Sequence, residues 1–173
     1  MDKEKNIFST KNQPCYTKDG EFIGWFSRSM AAAIFVFCKD ADGIIHVLAS
    51  ERGPGAADFI GYWNCCCGYL DFNETLVECA CRELKEETGV IAKPYELSFI
   101  GYEDNPSENH QNVTFRFVYK IMNRTIDEIS FSKDDNEKDE VGEIKWIPIF
   151  DVHKYKWAFK HDEIIYKAFK SVY

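Results

Sequence analysis

Two apolar runs in the first third of the chain are separated by a short polar turn. The runs MAAAIFVFC and IIHVLAS flank the tetrapeptide DADG, which is typical of a β-hairpin. Before them, KDGEFIGWF indicates a turn followed by a short strand. After them, IGYWNCCCGYL indicates a buried strand that ends at Gly68. This part of the chain is therefore predicted to form β-structure.

A helix is predicted soon after Gly68. Apolar residues recur there at helical spacing and form a stripe that would face the core: Leu76, Val77, Ala80, Cys81 and Leu84. We expect Asn73 to cap this helix and Glu74 to be stabilised by the positive end of the helix dipole. The dipeptide Thr88-Gly89 provides the stop signal.

The second half of the chain alternates strand-like and polar segments. YELSFIGYE and QNVTFRFVYKIM read as strands, and IKWIPI reads as another after the charged stretch SKDDNEKDEVGE. The closing segment WAFKHDEIIYKAFKSVY has the spacing of an amphipathic helix. Strands outnumber helices, with one helix in mid-chain and one at the end. This order predicts an α/β class in which helices cover a mixed sheet.

Length and charge narrow the possible functions. A chain of 173 residues suits one domain over residues 1–173, with residues 1–20 as an N-terminal extension. A formal charge of -8 argues against a sequence-independent grip on nucleic acid, which needs a basic surface. The sequence has neither a signal-peptide core nor an apolar run of about 18 residues, so we expect a cytoplasmic protein without membrane contact.

Seven cysteines raise the question of thiol chemistry, and Cys65, Cys66 and Cys67 are adjacent. Neighbouring residues of a strand point to opposite faces, so a disulfide framework is not expected. The four histidines also lack the spacing of a structural zinc site. Because cysteine is small and often buried, we interpret the three adjacent cysteines as packing residues.

An acidic patch is predicted on the mid-chain helix. Residues three and four apart share a helix face, so Glu83 faces both Glu86 and Glu87. The patch is either a solvated stripe relieved by Arg82 and Lys85 or a site for a hard cation such as Mg²⁺ or Mn²⁺. The spacing of the glutamates alone leaves both readings open.

A wider pattern surrounds the acidic patch and spans 23 residues with nine constrained positions. It reads Gly68, five residues, Glu74, seven residues, Arg82-Glu83-Leu84, one residue, Glu86-Glu87, one residue, Gly89-Val90. This pattern matches the signature of the Nudix hydrolase family at every specified position. The flanking segments are also similar, so the resemblance extends over about Phe22 to Val172, although only the signature is specific.

The resemblance implies a fold and a reaction. The implied fold is a Nudix-type α/β/α sandwich with a mixed sheet. The implied reaction is metal-dependent hydrolysis of the pyrophosphate bond in a nucleoside diphosphate linked to another moiety, as in ADP-ribose, a nucleotide sugar or a dinucleotide. The products would be a nucleoside monophosphate and the phosphate of the other moiety. The partner would be a small nucleotide, and small enzymes of this kind often form homodimers, so a homodimer stays open.

The resemblance also assigns roles to the residues of the signature. Glu83, Glu86 and Glu87 would bind Mg²⁺ or Mn²⁺, together with the backbone carbonyl of Cys67. Arg82 would orient a glutamate of the signature by ion pairing, and Glu74 would support the site from behind the metal ligands or lie near a metal.

The general base is less closely defined by the resemblance. In this family it is either a glutamate of the signature, here Glu83 or Glu86, or a glutamate of a later loop. The loop offers four acidic residues, and among them we favour Glu140: Glu137, Asp139, Glu140 and Glu143. Each is also a normal member of a solvated charge run.

Substrate contacts lie outside the signature. Arg52 closes the strand before the signature and Arg116 lies on a later strand, and each is a candidate to meet a phosphate. The alternative for each is a surface arginine or an arginine paired within the protein. Phe72 is a candidate to stack on a base, as are Tyr102 and Phe115. His161 lies where ADP-ribose-type Nudix enzymes have a similar terminal helix, and the alternative for it is a buried, hydrogen-bonded histidine.

One departure from the family pattern keeps two alternatives open. Family members commonly have Pro-Gly-Gly where this chain has Cys66-Cys67-Gly68. A cysteine-rich strand after a tryptophan is similar to that of type I isopentenyl diphosphate isomerase, in which a thiol transfers protons, but the His-Pro pair of that enzyme is replaced here by Tyr69-Leu70. The other alternative is a non-catalytic nucleotide sensor, which usually lacks glutamates of the signature.

Overall fold

The structure is a computed structural model that describes residues 11–109 and 111–173. The first ten residues of the predicted N-terminal extension, and His110, lie outside the described residues. Nine strands are assigned in the described part: β1 (Gln13–Tyr16), β2 (Phe22–Phe26), β3 (Ser29–Lys39), β4 (Ile45–Arg52), β5 (Trp63–Asn64), β6 (Cys67–Tyr69), β7 (Leu97–Glu103), β8 (Asn112–Thr125) and β9 (Val141–Pro148). Two α-helices accompany them, α1 (Leu76–Thr88) and α2 (His161–Val172).

Strand β3 is the centre of a mixed sheet. It runs parallel to β8 and antiparallel to β4 and β6. Strand β4 also pairs antiparallel with β5 and β9, and β7 closes the other side against β8. Strands β1 and β2 form a separate hairpin, in which β1 was not predicted from the sequence. The mixed sheet and its flanking helices confirm the predicted fold class.

The central strand explains why its sequence is almost uninterruptedly apolar. Its even-numbered residues, such as Ala32, Ile34 and Val36, pack in the cluster that contains α1. Its odd-numbered residues, such as Phe35 and Phe37, pack in the cluster that contains α2. A strand covered on both faces reads as a continuous apolar run, because neither face is solvated. The sheet therefore lies between two helical layers, as the sandwich requires.

The predicted cysteine-rich strand is in fact two short strands. Asn64 of β5 pairs with Ser50 of β4, whereas Cys67 of β6 pairs with Ala33 of β3. The chain thus crosses from one neighbour to the other, and the amide of Ile34 donates to a carbonyl in the crossing segment. The single long strand was wrong because β3 and β4 separate here and the segment fills the gap.

The cysteines of this segment pack on both sides of the sheet. Cys65 joins the α2 cluster and Cys66 joins the α1 cluster, and both are fully buried. All seven cysteines lie in the described residues and all are free thiols. The packing interpretation is therefore confirmed for Cys65 and Cys66.

Helix α1 begins two residues later than predicted. Thr75 is the N-cap, and its hydroxyl accepts from the amide of Glu78 while the Glu78 carboxylate accepts from the Thr75 amide. The prediction of Asn73 was wrong because only Thr75 has a glutamate three residues later, as a capping box needs. Glu74 consequently lies before the helix and not in its first turn. At the other end Gly89 adopts φ 75° and donates to the Lys85 carbonyl, as predicted.

The remaining described segments include four short 3-10 turns: Pro94–Glu96, Ile126–Glu128, Asp135–Glu137 and Ile149–Lys154. The third lies in the charged stretch before β9, which is tied to α1 by backbone bonds from Ser132 to Thr88 and from Asp134 to Glu86. Those bonds hold this stretch, residues 132–140 and called the acidic loop below, beside the carboxylates of α1. None of the helices in the described part is long and apolar enough to cross a membrane.

Candidate active site

A large cavity of about 1500 Å³ opens on the α2 side of the sheet and reaches the junction of β6 and α1. Its floor is the small-residue part of β3, where Ala31 and Ala33 leave room between the sheet and α2. Arg116 shares the row of Ala33 across the sheet, and so does Cys67. The cavity therefore brings together residues that lie far apart in the sequence.

Glu87 is the most buried carboxylate of the site, with 5 % of its surface exposed. Its Oε1 accepts from the Cys67 amide at 3.0 Å, and its Oε2 lies 3.4 Å from the Ser50 hydroxyl. Burial raises the pKa of Glu87 to about 8, against the lowering effect of the Cys67 amide and with a further contribution from the charge of Glu83. The proton on this carboxyl is therefore readily exchanged near neutral pH.

Glu83 lies directly against the backbone of Gly68. A Cβ at Gly68 would come within 2.0 Å of the Glu83 carboxylate, so only glycine allows this approach. Burial raises the pKa of Glu83 to about 7, although Arg82 opposes the shift. The close approach of Glu83 thus gives a steric reason for glycine at position 68 of the signature. With a pKa of about 7, Glu83 is partly protonated and partly ionised near neutral pH.

Arg82 is the cation that gathers the carboxylates of the signature. Its Nη1 donates to Glu83 at 2.7 Å and to Glu86 at 2.9 Å, and its Nη2 donates to Glu74 at 2.6 Å. The bond to Arg82 is the largest cause of the lowered pKa of Glu74. Nη2 also donates to the Tyr69 carbonyl, which fixes the guanidinium against β6. Arg82 and Glu74 therefore form the rigid support of the acidic patch.

The acidic loop before β9 forms another wall of the cavity. Glu137 and Glu140 both line it. Burial is the largest cause of the raised pKa of Glu137, followed by the charges of Glu140 and Glu86, and Glu137 in turn raises the pKa of Glu83 and of Glu87. Glu140 is not among the main charges acting on those two glutamates. Of these two loop glutamates, Glu137 is thus the one whose charge acts more strongly on Glu83 and Glu87.

The loop is held in place by a close approach of two backbones. The amide of Gly53 donates to the Glu140 carbonyl at 2.7 Å, and the amide of Gly55 donates to the Asp139 carbonyl at 2.7 Å. A Cβ on Gly53 would lie 2.4 Å from the Asp139 carbonyl oxygen. The segment RGPGAADF therefore has its glycines where it must touch the acidic loop.

The two candidate arginines are both paired with carboxylates in the protein. Arg52 donates to Asp58 Oδ1 at 2.6 Å and lies over the ring of Phe159, and Arg116 lies 3.6 Å from Glu103. Both arginines line the cavity. Both arginines are thus paired within the protein, as the alternative predicted, and both still line the cavity.

His161 is buried at the start of α2, as the alternative for it predicted. Its Nδ1 accepts from the Cys65 amide at 3.0 Å. Burial and the charges of Arg116 and Arg52 lower the pKa of His161 to about 3, so its ring is neutral. The histidine thereby joins the terminal helix to the cysteine-rich segment.

The predicted site residues fall into two groups. Those that line the cavity in the described part are Arg52, Cys67, Arg82, Glu83, Glu87, Arg116 and Glu140. Glu86 and Glu74 contact Arg82 at the edge of this group. Phe72 does not reach the cavity: it is fully exposed in the loop before α1, and the structure does not bring it to the other candidates.

Several residues of the site were missed by sequence reasoning. Ser50, which contacts Glu87, is a buried polar residue in an apolar strand. Phe59 and Phe159 line the cavity and are two of the non-glycine residues with positive φ. The buried serine was a detectable signal, because buried polar groups need partners. Nothing in the local sequence distinguished the two phenylalanines from core aromatics.

The carboxylates do not form a closed ligand set in this arrangement. Among the residues that the structure describes, no group of three or more histidine, cysteine, aspartate or glutamate side chains is placed as a metal-binding cluster. Arg82 contacts one oxygen of Glu83 and one of Glu86, so the second oxygen of each lies outside those bonds. The arrangement is an acidic patch around one arginine.

Comparisons with known proteins give a matching family model and several solved structures that are similar to this chain. The family model for the NUDIX domain matches residues 28–168. The NUDIX domain of Shewanella oneidensis NrtR, solved with ADP ribose, has a TM-score of 0.71 at 21% identity and covers 86% of this chain and 90% of its own. A search of curated proteins found no match.

Two further solved structures have the same fold. A MutT/nudix family protein from Enterococcus faecalis has a TM-score of 0.70 at 20% identity, with 89% of this chain and 65% of that chain covered. A bifunctional NMN adenylyltransferase/ADP ribose pyrophosphatase from Francisella tularensis, solved with AMP and a Mn ion, has a TM-score of 0.65 at 16% identity, covering 84% and 42%. Because the family model spans most of the residues and the fold agrees, this chain belongs to the Nudix family.

Proposed function

We propose that the chain hydrolyses the pyrophosphate bond of a nucleoside diphosphate linked to another moiety, releasing a nucleoside monophosphate. The observation that carries this proposal is the convergence of Glu83, Glu87 and Glu137 on one cavity, with the pKa of each raised by burial and by like charge. A solvated acidic stripe would have ordinary pKa values. Carboxylates held together at such a cost are typical of functional sites.

The chemistry of the carboxylates fits a hard divalent cation. Mg²⁺ and Mn²⁺ prefer oxygen ligands and share them with substrate phosphates. Glu83, Glu86, Glu87 and the Cys67 carbonyl would hold the ion, which relieves the repulsion among the carboxylates. When bound, such an ion neutralises the diphosphate and lowers the pKa of a water molecule. The positive charge of the ion would thus offset the negative charge of both the carboxylates and the substrate phosphates.

The side chains of the site have separate roles in the proposed reaction. Arg82 and Glu74 hold the acidic patch in register with β6. Glu137 accepts the proton of the attacking water, because a raised pKa makes its carboxylate a stronger base. We prefer Glu137 to Glu140, which was favoured from the sequence, since Glu137 is the loop carboxylate that acts on Glu83 and Glu87. Arg52 and Arg116 provide the cationic wall for the phosphates.

The experiment is a hydrolysis panel with Mg²⁺. It contains ADP-ribose, NADH, diadenosine polyphosphates, coenzyme A, nucleotide sugars and nucleoside triphosphates, with product phosphates resolved by ion-exchange chromatography. We expect turnover of at least one diphosphate, lost by roughly a hundredfold or more in Glu86→Gln and Glu87→Gln. Glu21→Gln, on the exposed β1–β2 turn, is the matched control and should retain activity. A panel without turnover would contradict the proposal.

A nucleotide sensor is the second candidate, and one observation favours it. Arg82 bonds both Glu83 and Glu86, so in this arrangement one side chain already offsets part of the negative charge that a cation would offset. NrtR, whose NUDIX domain was solved with ADP ribose, was also solved with a 27mer DNA. Tight binding of a panel member without turnover would support the sensor. Conversion of isopentenyl diphosphate would instead support the isomerase alternative, in which the cavity-lining Cys67 would act.

A further inference from the structure

The acidic loop lies beside a helix face of the same charge. Its sequence, SKDDNEKDE, contains five carboxylates among nine residues. After burial, the charge of Glu137 is among the causes that raise the pKa of Glu83 and of Glu87, so the loop and α1 are close enough to repel each other. The position of the loop therefore depends on contacts that offset this repulsion.

Lys133 joins the two ends of the acidic loop. Its Nζ donates to the backbone carbonyl of Val141 at 2.7 Å and to that of Gly142 at 2.8 Å, and both bonds are partly buried. Val141 and Gly142 are the first two residues of β9. The ammonium group at the start of the loop is thus bonded to the strand that follows the loop, by hydrogen bonds that its charge strengthens.

The residues on either side of Lys133 are bonded to the last turn of α1. The amide of Ser132 donates to the Thr88 carbonyl at 3.0 Å, and the amide of Asp134 donates to the Glu86 carbonyl at 2.9 Å. The backbone around Lys133 is therefore fixed to the helix that carries the acidic patch. Through its side chain, Lys133 fixes the far end of the loop to the same point.

The second lysine of the acidic loop makes a contact of a different kind. The Nζ of Lys138 lies 2.5 Å from Oδ1 of Asp135, and the two side chains are 63% and 86% exposed. An exposed ion pair contributes little to stability, and this one joins two residues of the loop to each other. Lys138 therefore has the charge of Lys133 and the same loop, but its ion pair does not join the loop to β9.

We propose that Lys133 is a positioning residue, which closes the acidic loop and thereby holds Glu137 beside the carboxylates of α1. The inference rests on the proposed function for the role of Glu137 as the proton acceptor. Lys133 is outside the set of described residues that line the cavity, so it acts through the loop. Without its ammonium group, charge repulsion moves the loop away from α1, and a small displacement of a proton acceptor lowers the rate strongly.

Hydrogen–deuterium exchange, measured by NMR, tests the closure of the loop without turnover. The amides of Gly53 and Gly55 donate to backbone carbonyls of the acidic loop, so their protection reports whether the loop is in place. Lys133→Met keeps an unbranched side chain but removes the ammonium group, so both amides should exchange at least about tenfold faster. Lys138→Met should leave their exchange unchanged. Wild-type exchange of both amides in Lys133→Met would overturn the inference.

Steady-state kinetics test whether Lys133 acts through Glu137. Lys133→Met should lower kcat by roughly tenfold and change KM by less than about twofold. Lys133→Arg should recover most of the loss, because a guanidinium can also donate to two neighbouring carbonyls. In the Glu137→Gln background, Lys133→Met should lower kcat by less than about twofold, since two residues that act as a unit are not additive.

The remaining outcomes separate this inference from the proposed function. Lys138→Met should retain wild-type kcat, and thermal unfolding checks that each variant is folded. An equal loss of kcat from Lys133→Met in wild type and in Glu137→Gln would overturn the positioning role, and so would faster exchange with an unchanged kcat. Failure of the hydrolysis panel would remove the proposed function, whereas the exchange experiment would still decide whether Lys133 closes the acidic loop.

Discussion

At the scale of single residues, the site works by placing like charges where water cannot fully solvate them. Glu87 is buried and Glu83 is nearly so, and the Cys67 amide and Arg82 offset only part of the cost of burial. Desolvation favours the protonated carboxyl, while the hydrogen-bond donors favour the carboxylate. The balance leaves two groups that respond to small changes in their surroundings, such as the arrival of a phosphate or an ion.

The two loop glutamates provide a direct test of this electrostatic argument. Glu137→Gln should lower kcat by roughly a hundredfold if Glu137 accepts the proton of the attacking water. Glu140→Gln, three residues away on the same cavity wall, should lower it by less than about threefold, since in this proposal Glu140 neither accepts the proton nor binds the ion. Steady-state kinetics on the best substrate of the panel measure both. The reverse order of effects would restore Glu140 as the base.

At the scale of elements, the sequence predicted most of what local patterns control. The DADG hairpin, the stripe of Leu76, Ala80 and Leu84 and the Gly89 stop follow from turn chemistry and helical spacing, and the structure has all three. The division of the cysteine-rich strand could not be predicted, because it depends on where β3 and β4 separate. The same holds for the contact between Phe59 and Phe159, which meet only through the tertiary fold.

The start of α1 provides a prediction with its own internal control. Thr75→Ala removes the hydroxyl that caps the helix, so it should lower the free energy of unfolding by about 1 kcal/mol. Asn73→Ala changes the residue that looked like the cap in the sequence and should have little effect. Urea denaturation of the two variants measures both free energies. Similar losses in both variants would mean that the capping box of Thr75 and Glu78 is not what stabilises the first turn.

Two glycines distinguish close packing in the site from close packing in the scaffold. In Gly68→Ala the new Cβ meets the Glu83 carboxylate, the movable end of a side chain, so activity should fall by at least about tenfold with little change in stability. In Gly53→Ala the new Cβ meets the Asp139 backbone, which cannot yield as easily. That variant should lose about 1–3 kcal/mol of stability, as overpacked sites do. Activity and thermal unfolding, measured together, separate the two effects.

At the scale of the whole molecule, the net negative charge of the chain and the carboxylates of its site both restrict how a phosphate-bearing substrate can bind. A net charge of -8 repels free polyanions, so a phosphate-bearing substrate needs local positive charge. Arg52 and Arg116, which both line the cavity, would provide this charge in the proposed function. Under the proposed function, these arginines and a cation held by the carboxylates of α1 would together orient the diphosphate.

The pKa values of the site also predict how the stability of the whole protein depends on pH. In the metal-free protein Glu87 has a pKa of about 8 and Glu83 of about 7, both above the ordinary value of 4.5. The folded state therefore holds protons that the unfolded state has released, so the contribution of these groups to stability is largest below about pH 4.5 and falls as pH rises to about 8. Above that pH both carboxyls are ionised and repel each other.

A divalent cation should reverse this loss, because it binds the ionised form and competes with protons. We expect Mg²⁺ to raise the unfolding temperature more near pH 8.5 than near pH 6, at matched ionic strength. Glu87→Gln should remove most of this gain in unfolding temperature. Without metal, the free energy of unfolding of this variant should exceed that of wild type by roughly 2 kcal/mol above about pH 8, since the variant has no buried charge at this position. Differential scanning calorimetry with EDTA or Mg²⁺ measures all four conditions. An equal gain at both pH values would show that the ion binds elsewhere than at the carboxylates of α1.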